Sequence, residues 1–273
     1  MRLDTHCHLG HSYEGKVKRS QPWSTPEDVM AFFEKEQITH ACVIYLPNEV
    51  YLLESLLKLA EEKKVKIYPF QWIDTYKEKI YEWDAGVKLH PVRGSKISPL
   101  SSVAGRFFRK LPSGFKVLIH TQGSSSLKNI SRPQMVLSLS LRHPDKIFIV
   151  GHSGAYGFRS FRPSQTSNVE LWERYYHSKL LVNEAEFVAS VRDNVWLESS
   201  YVKKYLMFKI KSLCYSYRIH GRVLLGSDFP YLKEISSIVD QERCLMEYGG
   251  LTEEEIKQMH LNGIKLIEGG GVL

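Results

Sequence analysis

The chain has 273 residues, of which 43% are apolar and 25% charged, and it carries a net charge of +7. This is an ordinary globular composition, and no apolar run is long enough to cross a membrane. A globular protein without membrane-spanning helices is expected, while the positive balance admits an anionic ligand or nucleic acid without demanding either.

The first residues lack a charged-then-apolar leader pattern, so we expect a soluble, cytoplasmic protein. Cys7, Cys42, Cys214 and Cys244 lie far apart with no CxxC spacing. They read as reduced packing residues, not as a disulfide framework or a thiolate metal site. Lysines and arginines are scattered along the chain, which reads as a solvated basic surface.

In chain order, eight short β-branched or apolar runs alternate with longer amphipathic stretches. The runs are 2–8, 41–46, 65–73, 86–90, 116–120, 147–152, 195–199 and 223–228. Several are almost wholly apolar, as parallel strands covered on both faces must be. Thr25, Pro26, Glu27 and Asp28 announce a helix: a capping hydroxyl, proline at the first position, then acids in the first turn. Residues 51–64 are leucine-rich and end in lysines, 131–141 carry Pro133 near their start, 169–191 read as one long helix or two, and 201–217 as another. Thr252 to Glu255 open a terminal helix that closes before Gly269. No repeat, low-complexity segment or linker divides the chain, so residues 1–273 are taken as a single domain. Eight strands alternating with helices predict an α/β fold, a closed (β/α)8 TIM barrel, with a doubly wound open sheet as the alternative.

In such a barrel the active site lies at the C-terminal ends of the strands. Strand one ends in His6 and His8, which share a face because residues two apart in a strand point the same way. Strand four ends in Lys88 and His90, strand five in His120, strand six in His152, strand seven near Glu198 and Ser200, and strand eight in Asp228. Each residue alone has a bland reading as a turn or strand-end group. Together they crowd several ionisable side chains around one rim, where unpaired they would repel or cost desolvation, and a metal cation resolves that conflict.

The ordered motifs DTHCHLG, GVKLHP, LIHTQG, VGHSG and LLGSDFP, spanning residues 4–230, resemble the amidohydrolase superfamily. They are most similar to its amidohydrolase-related branch of metal-dependent hydrolases and decarboxylases. That resemblance implies a (β/α)8 barrel with one or two divalent metals. It matches His6 and His8 to the strand-one ligands, His120 and His152 to the strand-five and strand-six histidines, and Asp228 to the strand-eight aspartate. It leaves Lys88 with two readings, as a carboxylated bridge between two metals or as an ammonium that binds a substrate carboxylate.

Imidazoles with one carboxylate suit Zn²⁺, although Mn²⁺, Fe²⁺ or Ni²⁺ would satisfy similar donors. One tightly held ion is expected, with a second in reach. Asp228 would move the proton of the metal-activated water, and His152, if not a ligand, would act as a base or electrophilic contact. Lys88 and His90 would hold a small anionic substrate. Arg159, in the aromatic and basic loop after strand six, would join them. The expected activity is hydrolysis of a small-molecule C–N or C–O bond. The alternatives are decarboxylation of an aromatic or unsaturated acid, or a nuclease or phosphoesterase resembling the TatD group. Nucleic acid is the less favoured partner, no membrane partner is expected, and the oligomeric state is left open.

Overall fold

A computed structural model of the chain describes residues 1–11, 23–90, 98–121, 132–154, 183–200, 221–231, 237–247 and 249–269. Eight strands form one sheet in sequence order: β1 Leu3–His8, β2 His40–Tyr45, β3 Lys66–Ile73, β4 Gly86–Leu89, β5 Lys116–His120, β6 Ile147–Gly151, β7 Val195–Glu198 and β8 Val223–Leu224. All consecutive pairs are parallel. The sheet closes on itself. Thr5 N–H donates to Leu225 O, Asp228 N–H to His6 O and His8 N–H to Phe229 O, at 2.9, 2.6 and 2.8 Å. The closed barrel is the architecture that the alternation predicts, and the open sheet is ruled out.

The strand parity sorts the apolar residues into two clusters. Ile44, Tyr68, Phe70, Trp72, Leu118, Ile149, Trp196 and Leu224 fill the barrel interior, with Leu266 and Ile267 of the last helix packed against them. Val43, Val87, Val117, Phe148, Val150 and Leu197, their neighbours in sequence, pack outward under the helices. Burying both faces explains the runs of consecutive apolar residues.

The helices begin and end where their local chemistry directs. Thr25 caps α1 (Pro26–Glu36) by accepting from Asp28 N–H, the Asp28 carboxylate accepts in return from Thr25 N–H, and the helix stops at Gln37 with φ 56°. Helix α2 (Val50–Lys63) stops at Lys64 in the same left-handed conformation. Ser101 caps α3 (Ser102–Lys110), Pro133 opens α4 (Pro133–Arg142), and α5 (Ile238–Glu247) precedes α6 (Glu253–Ile267), capped by Thr252 and Glu255. Helices α3 and α5 are additions to the elements read from the sequence. The predicted helix 201–217 lies outside the described residues, as does 169–182, while 183–191 is helical. Cys7, Cys42 and Cys244 are buried, in keeping with a packing role, and Cys214 lies outside the described residues. Among the described residues, no helix is long and apolar enough to cross a membrane.

Candidate metal centre

Strand β1 delivers two imidazoles to one point. Its pairing with β2 slips from Asp4↔Ala41 to Cys7↔Val43, so β1 carries an extra residue there. Such a bulge re-aims the side chains that follow it. With His6 inside the bulge and His8 just past it, His6 Nε2 and His8 Nε2 lie 3.2 Å apart. Across the closing seam, Asp228 Oδ1 sits 3.4 Å from the first and 3.3 Å from the second. Asp228 holds this place with a left-handed backbone, φ 55°, a conformation that aspartate tolerates better than most residues.

These spacings test whether the residues fit a metal. With metal–ligand distances of about 2.0–2.1 Å, two donors on adjacent corners of a tetrahedron are separated by about 3.3–3.4 Å. The three donor atoms therefore already stand at the edge lengths of one face of a tetrahedral site. Hydrogen bonds also aim the lone pairs correctly. His6 Nδ1–H donates to Glu198 Oε2 at 2.9 Å, which leaves Nε2 as the bare nitrogen facing the site. The residues fit a divalent cation.

Glu198 is the hub behind this face. Besides His6, it accepts from His152 N–H at 3.0 Å, from the Ser200 hydroxyl at 2.8 Å and from Ser200 N–H. Gly226 makes room for it. A Cβ built there would lie 2.2 Å from Glu198 Oε1 and 2.8 Å from His6 Cβ. Asp4 ties the seam from behind, accepting from His6 N–H at 3.0 Å and Ser227 N–H at 2.9 Å. Burial pushes Asp4 up to about 6 in spite of these bonds.

His152 also leaves the common backbone region, with φ 59°. Its Nδ1–H donates to Ser200 O at 2.9 Å, so its Nε2 is the acceptor facing His120 Nδ1, also at 2.9 Å. The His152 ring stacks on His6 with centroids 5.0 Å apart. His120 stacks on His90 at 3.9 Å, and His90 on Trp72 at 5.5 Å. Lys88, fully buried, donates from Nζ to His6 Nε2 at 3.0 Å.

The electrostatics follow from burial. Desolvation and the Lys88 cation hold His6 well below its ordinary range, and desolvation lowers His8 and His120 as well, so the imidazoles are neutral and ready to donate lone pairs. Burial alone would raise Asp228. The His8 hydrogen bond and the surrounding imidazoles outweigh it and hold the carboxylate down to about 2. Lys88 is pushed down to about 8 by burial, against the pull of Asp228 and Glu198.

The structure thus brings His6, His8, Asp228 and Lys88 into direct contact, with His152, His120 and His90 next to them. Arg159 lies outside the described residues. Glu198, Ser200 and Gly226 are the groups that sequence reasoning did not assign to the site. The strand-seven ending exposed the first two as candidates, but nothing in the sequence says which imidazole Glu198 holds.

No family model matches the chain, and no curated protein does. The fold does find relatives. A probable 2-pyrone-4,6-dicarboxylic acid hydrolase of Acinetobacter baumannii with citric acid bound superimposes with a TM-score of 0.65 at 11% identity, over 98% of this chain and 99% of that one. A zinc-bound amidohydrolase of Burkholderia multivorans gives 0.66 at 11% identity, over 98% and 99%. An enamidase described as a member of the amidohydrolase superfamily gives 0.61 at 16% identity, over 100% of this chain and 69% of that one. The three-dimensional comparison shows that the fold of this chain is a (β/α)8 barrel similar to those of these amidohydrolases.

Proposed function

We propose that this protein is a metal-dependent hydrolase that cleaves a C–N or C–O bond in a small molecule. The observation that carries this reading is the convergence of His6 Nε2, His8 Nε2 and Asp228 Oδ1 at 3.2–3.4 Å, with the His6 tautomer set by Glu198. His6, His8 and Asp228 hold the metal. His120 and His152, hydrogen-bonded to each other beside them, are the further donors. When bound, a divalent ion, zinc by the nature of the donors, supplies Lewis acidity and makes water a stronger acid.

The chain's own residues do the rest. The Asp228 carboxylate, held ionised, accepts the proton of the attacking water and returns it to the leaving group. His152, whose Nδ1–H is engaged by Ser200 O, offers Nε2 as a second proton acceptor. Lys88 and His90 hold the anionic part of the substrate. Arg159 joins them from its loop. The buried ammonium of Lys88 fits this role because a substrate carboxylate offsets its desolvation.

The test is a panel of lactones, esters, cyclic amides and amides, assayed with chelated and zinc-restored protein. Hydrolysis that chelation abolishes and zinc restores is the expected result. Metal-independent turnover, or a protein that takes up no metal on reconstitution, refutes the reading.

A further inference from the structure

Helices α3 and α4 flank a groove of about 590 Å³ that takes no part in the metal centre. Three arginines line it, Arg106, Arg109 and Arg142, and no carboxylate does. Arg142 donates from Nη1 to Leu100 O at 3.1 Å. Arg106 and Arg109 make neither an ion pair nor a hydrogen bond among the described residues. Gly105 keeps this wall of the groove low. Arg109 Nη1 lies 3.6 Å from where its Cβ would stand, so the guanidinium folds back over the bare backbone.

His143 adds a polar ring to the same lining. It is only 6% exposed, packed against Phe108 with centroids 5.1 Å apart. Neither ring nitrogen has a hydrogen-bond partner among the described residues. They are not among the buried unpartnered atoms, so they open onto the groove, where a ligand can meet them. Burial lowers His143, and Arg109, Lys146 and Arg142 lower it further against the pull of Asp145 alone, so the ring is neutral and keeps one N–H to donate.

The imbalance is not a general feature of the surface. A groove of similar size, about 540 Å³, borders the start of β1. There Arg2 forks onto Glu242 at 2.7 and 2.8 Å, and His260 contacts the same carboxylate at 2.8 Å. Cation and anion are matched in one groove and unmatched in the other.

We propose that the α3–α4 groove binds a small phosphate-bearing anion through Arg106, Arg109 and Arg142, with His143 as a neutral donor. Three guanidinium groups call for more than one negative charge, which a phosphate ester supplies and a single carboxylate does not. The planar fork of arginine matches tetrahedral oxyanions in paired hydrogen bonds. The volume suits a ligand of small-metabolite size. This inference stands apart from the hydrolase reading, since none of these residues touches the metal centre.

The experiment titrates inorganic phosphate and glycerol 3-phosphate into metal-loaded protein by calorimetry, with acetate at equal ionic strength as the control. Three proteins are compared: the wild type, the R106A/R109A double variant and His8→Ala. Loss of two unpartnered surface guanidiniums leaves the fold intact, and His8→Ala separates this groove from phosphate on a metal. Phosphate is expected to bind the wild type and His8→Ala alike, to shift the His143 imidazole resonances, and to bind the double variant about ten-fold or more weakly. Binding unchanged in the double variant, binding lost in His8→Ala, or no preference over acetate overturns the proposal.

Discussion

Replacing Gly226 by alanine should weaken metal binding without removing any ligand. The added methyl would lie 2.2 Å from Glu198 Oε1, 2.8 Å from His6 Cβ and 3.0 Å from Glu198 Cδ. An ordinary carbon–oxygen contact is near 3.3 Å, so the Glu198 carboxyl has to retreat by about 1 Å. It has nowhere to go without loosening its bonds to His6 Nδ1, Ser200 and His152 N–H. Overpacking of this kind costs about 1–3 kcal/mol, and loss of an outer partner of a metal ligand costs about 10–100-fold in affinity. In a chain of this size the stability loss lowers Tm by about 2–10 °C. Competition with a zinc chelator reads the affinity, and thermal unfolding of the metal-free protein reads the strain. Wild-type zinc affinity in Gly226→Ala would show that Glu198 does not aim His6, whatever happens to Tm.

Three further outcomes are expected. Asp228→Asn should abolish turnover while leaving the circular dichroism spectrum intact, because asparagine accepts the same left-handed backbone but cannot carry a proton as a carboxylate does. Activity near wild type would remove Asp228 from the chemistry. His6→Ala and His8→Ala should each lower the zinc content measured by elemental mass spectrometry, and full occupancy in both would place the metal elsewhere. Asp84 is buried beside Tyr45 and its pKa is raised from 3.8 to about 6, mainly by desolvation. The folded state therefore binds the extra proton between those values. Stability is highest below the unfolded pKa and falls as pH rises through the folded one, by at most about 3 kcal/mol. Urea unfolding from pH 4 to 6 should show a flatter profile for Asp84→Asn than for the wild type, and parallel profiles would contradict the assignment.

The eight strands were legible because nearly all of their residues are buried, and six of them end in an ionisable residue at one rim of the barrel. The helices that escaped notice did so for physical reasons. In α3, Gly105 and three basic residues obscure the Phe107 and Phe108 stripe. In α5 the inner face is partly polar. Gln241 donates to Gly226 O and accepts from Ser199, and Glu242 meets Arg2 and His260, so the apolar period is broken where the helix is buried. Parity placed His6 and His8 on one side, but the bulge between Asp4 and Cys7 has no sequence signature. The partnership of Glu198 with His6, 192 positions apart, depends on barrel closure, which local spacing does not encode.

That closure joins the two ends of the barrel through backbone contacts between β1 and the segment after β8, and the donor set straddles the join: His6 and His8 on one side, Asp228 on the other. A cation shared by these groups is then a reversible cross-link spanning most of the chain. By the loop-entropy relation used for disulfides, a closure of this span restricts the unfolded ensemble by about 5 kcal/mol. Catalytic competence and mechanical integrity would be governed by the same ion: starving the protein of metal would silence it and leave its hoop held by the hydrogen bonds of the seam.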